Sequence, residues 1–132
     1  MSPAALEATE DSPLQPDVAV LLDVDAEYRR KAAAGKLRRI APHRFNPTGE
    51  AWLPVMNTRR LDWLFLVLFA NTAQAHKLNA TLEWVIIFFE QDGQGEDQCT
   101  VVTEQHGSLA GKRVIRSRMP ECRAYYAAQS GF

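Results

Sequence analysis

The sequence predicts an α+β fold: an antiparallel sheet of about five strands with a long N-terminal helix, a short middle helix and a C-terminal helix. Three observations carry this reading. Val18, Leu21, Leu22 and Tyr28 recur at helical spacing near the start. Two apolar, aromatic-rich strand pairs follow, each folding back across a polar turn. The chain ends on a segment that Pro120 can open as a first helical residue. A length of 132 residues supports one core and no second one.

Each element has a local reason. Residues 1–16 carry Pro3, Pro13 and Pro16 among acidic and small residues without periodicity, and read as a flexible leader before one domain over 17–132. The first helix is expected over about 18–34, with Asp17 as N-cap and Gly35 closing its end. Within it Glu27 precedes Lys31 at i, i+4, and the acids precede the bases in the order the helix dipole favours. Pro42, Pro47 and Gly49 exclude a long regular element over 36–49, although 37–40 suits a short strand. Residues 52–57 and 63–70 read as a hairpin joined by 58–62, the second strand apolar on both faces and hence central. Asn71 or Thr72 can cap a short helix, and 84–89 and 99–103 make a second hairpin around the turn at 92–97. A short strand over 112–116 and a helix over 122–129 complete the order, with the helices expected on one side of the sheet.

Charge is organised in blocks. The formal net charge of −1 conceals −7 over residues 1–27, +8 over 28–60, −6 over 61–105 and +4 over 106–132. A dense basic stretch is the footprint of a phosphate-bearing partner; the alternative is that acidic and basic blocks neutralise one another in the fold. No apolar run is long enough to span a membrane, and the acidic start lacks the charge pattern of a secretory signal, so the expected location is the cytoplasm. Cys99 and Cys122 make no disulfide framework and match no zinc spacing; both are expected to be reduced, with Cys99 buried.

Little in the sequence points to catalysis. His43, His76 and His106 stand apart from other metal-ligating residues, and nucleophile-elbow, C-x-x-C and P-loop patterns are missing. No cofactor or metal is expected. The acids Asp62, Glu83, Asp92 and Glu104 offer only a weak case for a metal-dependent nuclease, since no spacing groups them. The strongest local feature is the run from Leu37 to Trp52, in which Arg38, Arg39, His43 and Arg44 lie beside Phe45 and rigid prolines. Guanidinium groups suit phosphates, and an aromatic face suits a base. Arg59 and Arg60 at the first hairpin, and Lys112, Arg113 and Arg116 near the last strand, extend this surface if the last strand lies beside the loop.

The runs 37–54, 69–76, 98–104 and 111–116 resemble the C-terminal portion of bacterial helix-hairpin-helix, DNA polymerase X-like DNA-binding proteins. The resemblance covers about residues 18–126 and implies DNA-related work, with no catalytic role attached to this portion. The helix-hairpin-helix region that presents backbone amides to a phosphate has no counterpart here. The expectation is a non-enzymatic, DNA-associated accessory domain whose binding is weak and salt-sensitive. The alternative is a protein-interaction or self-association module, completing a helix-hairpin-helix partner or pairing with a second copy through its apolar hairpin.

Overall fold

The computed structural model describes residues 15–130. The expected leader lies outside them except for Gln15 and Pro16, and Pro16 is buried, its carbonyl accepting a hydrogen bond from Arg118. The fold is α+β. Helix α1 (Val18–Ala33) is followed by β1 (Arg38–Ile40), β2 (Leu53–Arg60), β3 (Trp63–Phe69), α2 (Ala73–Lys77), β4 (Val85–Gln91), β5 (Glu96–Thr103), β6 (Arg113–Ile115) and α3 (Met119–Ser130). The six strands form one antiparallel sheet in chain order, a meander in which every strand pairs with its sequence neighbour. The strand beyond the expected five is β1, three residues paired with Leu53–Val55.

Strand register assigns the two faces. Met56, Val67, Ile87 and Cys99 lie in one row across the sheet, as do Phe69, Val85, Val101 and Ile115. These residues are buried with Leu21, Val24 and Tyr28 of α1 and Cys122 of α3, so both long helices cover this face. Burial of these side chains is the main stabilising contribution, at about 1.5–3 kcal/mol for each large one. The buried Tyr28 hydroxyl fastens helix to sheet: it donates to the Pro54 carbonyl at 2.7 Å and accepts from the Phe69 amide at 2.9 Å. Helix α2 departs from the expected arrangement. Its Ala75 packs with Ala70 and Ala80 against Trp84 and Ile86, and Ile86 belongs to the opposite face.

Local details differ where tertiary contacts replace local ones. The Asp17 side chain makes no capping bond; its carbonyl instead accepts from Val20 and Leu21. Thr72 does cap α2, accepting from the Ala75 amide at 3.1 Å. The first hairpin is longer than expected because residues 58–60 continue the ladder to an Arg60 and Trp63 pair, leaving a two-residue turn at Leu61 and Asp62. Strand alternation therefore sends Arg59 and Arg60 to opposite faces. The second turn also shortens, with Glu90 paired to Glu96. Cys99 and Cys122 are both free and buried, and burial pushes the Cys99 thiol up to about 12.

Candidate nucleic-acid interface

The stretch between β1 and β2 is a fixed loop. Asn46 donates through Nδ2 to the carbonyls of Pro42 and Glu50, each at 3.0 Å, and the Gly49 amide donates to the Asn46 carbonyl at 3.1 Å. Gly49 has φ +70, where the absence of a Cβ avoids the usual penalty. Phe45, at the loop's crest, adopts φ 53 without that freedom. A non-glycine residue there costs about 1–2 kcal/mol, so the surrounding bonds hold it.

The conformation displays an aromatic ring. Phe45 is 44% exposed, and its ring centroid lies 4.5 Å from that of His76 on α2 with an interplanar angle of 36°. His76 Nε2 is 2.6 Å from Asn71 Oδ1, and Asn71 Nδ2 donates to the Arg44 carbonyl at 2.9 Å. Loop and helix are thus joined through Asn71 as well as through the ring contact. The Arg44 guanidinium carbon lies 5.2 Å from the Phe45 centroid, a cation and a π face presented together.

Basic side chains flank this platform. Arg38 and Arg39 are exposed on β1, the outermost strand, and alternate between its faces. His43 and Arg44 are exposed in the loop that follows. Among the described residues, Arg38, Arg39 and Arg44 make no ion pair with a carboxylate, which leaves their charge for an outside partner.

The remaining basic residues do not join this surface. Strand β6 occupies the opposite edge of the sheet from β1, five strand spacings or about 24 Å away, so Lys112, Arg113 and Arg116 do not extend the loop. Arg113 is an internal ion: it bonds both Asp25 oxygens, at 2.9 and 3.2 Å, as well as Glu83, Thr103 and the Val101 carbonyl. Asp25 is fully buried and also receives Arg29 Nε at 3.0 Å. Arg60 pairs with Glu27 at 2.6 Å and Asp23 at 3.0 Å. Lys112 lies over the Tyr126 ring at 5.2 Å, and Arg116 over Trp84 at 5.5 Å beside an open cleft of about 490 Å³. Arg59 is exposed but sits near the hairpin tip, four residues along β2 from the Arg38 register.

The four acids weighed for metal-dependent cleavage are also dispersed. Asp62 and Asp92 adjoin the hairpin turns, where Gln91 donates to Asp62 at 2.8 Å. Glu83 and Glu104 lie beyond the other ends of β4 and β5, with Glu83 bound to Arg113 and to the Thr103 amide. Among the described residues no three His, Cys, Asp or Glu side chains gather where a metal ion could be held. Asn46, Asn71 and His76 are the site residues that sequence reasoning missed. Asn46-Pro47 carries a turn signal, whereas nothing in the local sequence connects His76 to a loop some 30 residues earlier.

Comparison of the chain with protein-family models, with curated proteins and with solved structures returns no match.

Proposed function

We propose that this domain is a non-enzymatic nucleic-acid-associated module that binds DNA weakly, with phosphates on Arg38, Arg39 and Arg44 and an unpaired base against Phe45. The observation that carries the reading is the left-handed Phe45, clamped by Asn46 and backed by His76, with an exposed ring beside Arg44, which among the described residues has no carboxylate partner. Strain held at a solvent-facing aromatic contributes nothing to the core and is consistent with a contact surface. The sequence resemblance to the C-terminal portion of helix-hairpin-helix DNA-binding proteins supports the choice of DNA. His43 is exposed in the same loop, and Arg59, Arg60, Lys112, Arg113 and Arg116 are left out of the contact.

Stacking tolerates any base, because every base has a π face, so this contact supplies affinity without sequence preference. Three phosphate contacts predict a slope of log affinity against log salt of about −2 for single strands, so a fourfold rise in salt weakens binding about 20-fold. Fluorescence anisotropy with labelled single-stranded and duplex oligonucleotides tests this. Single strands should bind more tightly than duplex at low salt. Phe45→Ala should weaken single-strand binding about tenfold at constant salt, within the range of one stacked base, and Arg38→Ala with Arg39→Ala should flatten the salt slope. An absence of binding at low ionic strength, or equal binding by the Phe45→Ala variant, would overturn the proposal.

A further inference from the structure

The sheet face opposite α1 and α3 is capped by α2 only toward the Ile86 end. Over the hairpin half, Leu64 is 39% exposed and Leu66, Leu68 and Phe88 are only half-buried. Strand register orders this face in rows running across β2, β3, β4 and β5. One row reads Arg59, Leu64, Glu90, Glu96. The next reads Asn57, Leu66, Phe88, Gln98, and the third reads Val55, Leu68, Ile86, Thr100.

The middle row is nearly self-complementary about a line between β3 and β4, and the first row is so at its two ends, with Leu64 falling opposite Glu90 between them. A two-fold axis along that line, parallel to the strands, exchanges β3 with β4 and β2 with β5. Facing a second copy, Leu66 then meets Phe88 and Asn57 meets Gln98 in the row clear of α2, while Ile86, packed against α2, stays out of the contact. At the rim, the cation Arg59 meets the anion Glu96. Each such contact occurs twice, as an isologous interface requires, and face-to-face sheets pack about 10 Å apart with a tilt near 30°. Rotation by 180° in the plane of the sheet, which would bring head to tail, loses the Arg59 and Glu96 match.

We infer that this face is the self-association surface of the protein, and that its occupant is a second copy of the same chain related by that axis. Charge complementarity selects the second copy: Arg59 and Glu96 sit at opposite ends of one row, so the face is its own electrostatic partner. Because the axis runs along the strands, both Phe45 loops fall at the same end of the dimer. The inference does not depend on nucleic-acid binding by those loops.

Sedimentation equilibrium of the full chain without nucleic acid, from micromolar to near-millimolar concentration, tests it. A concentration-dependent dimer is expected. Arg59→Glu and Glu96→Arg, each placing like charges across the axis, should each raise the dimer dissociation constant about tenfold or more. The double variant, which restores opposite charges in exchanged positions, should return it toward the wild-type value. Leu61→Ser, at the turn tip outside the rows, should leave it unchanged. Circular dichroism establishes that each variant is folded. A monomer at every concentration overturns the inference, and single variants that dimerise like the wild type, or a double variant that rescues nothing, overturn the proposed axis. Loss of dimer in Leu61→Ser would make the turn the contact and overturn the face.

Discussion

Arg113 and Arg38 are the same residue type on short edge strands of one sheet, yet they do opposite things. Arg113, on β6, faces the buried Asp25 of α1, and its guanidinium is consumed by two carboxylates, a hydroxyl and a carbonyl. Arg38, on β1, points to the face away from α1 and is exposed. The contrast shows that a basic stretch is ambiguous until the tertiary neighbours of each cation are known. Arg60 and Arg113 face α1 and find Asp23, Asp25 or Glu27, whereas the arginines on the β1 edge and in the loop, Arg39 on the α1 face included, are exposed.

The comparison is broken most severely at its buried end. Arg113→Met should lower unfolding free energy by about 3–5 kcal/mol, because it leaves buried Asp25 with Arg29 alone; chemical denaturation with both proteins measures this, and a loss under about 1 kcal/mol would mean that the network is dispensable. Tyr28→Phe should cost about 1–3 kcal/mol, since the Pro54 carbonyl and the Phe69 amide each lose a buried partner while the edge contact of the ring with Phe69 at 4.9 Å remains. A smaller effect belongs to Glu27, whose carboxyl is held below its ordinary 4.5 by hydrogen bonds from Lys31 and Arg60. The unfolded chain binds that proton more readily, so the stabilisation is present above about pH 4.5 and is lost as pH falls through the lower folded value. Stability measured against pH for the wild type and Glu27→Gln should therefore differ above that pH and converge below it. At the exposed end, Arg38→Ala with Arg39→Ala should change stability by no more than about 0.5 kcal/mol. A large loss there would show that these arginines, too, serve the fold.

Much of the fold was legible because its signals are local. The helical spacing of Val18, Leu21, Leu22 and Tyr28 needs only one turn of neighbours, and the Glu27 and Lys31 pair forms at 2.7 Å as i, i+4 spacing predicts. The strands declared themselves by apolar runs, and the central position expected for Leu64–Phe69 follows from an apolar residue at every place. That same run also hid a distinction: Phe65, Val67 and Phe69 are in the core, while Leu64, Leu66 and Leu68 line the other face, partly open to solvent. The candidate site was half legible. Arg38, Arg39, His43, Arg44 and Phe45 are contiguous and remain together, but the support of Phe45 by His76 and Asn71 comes from a later helix. The proposed extension through Lys112, Arg113 and Arg116 fails because the meander puts β6 at the far edge.

By itself the sequence determined the class of fold, the order of its elements and the presence of a basic, aromatic loop, because periodicity, turn chemistry and charge blocks act over a few residues. Only the tertiary structure decided which charges are free. Alternation along β2 turns Arg60 toward Asp23 and Glu27 and turns Arg59 away, and register then carries Arg59 into line with Glu96 three strands on. Among the described residues the acidic and basic blocks neutralise one another at Arg29, Lys31, Arg60 and Arg113, where α1 and Glu83 supply carboxylates within about 3 Å. Along the β1 edge no such partner lies in reach among the described residues, and the charge stays at the surface.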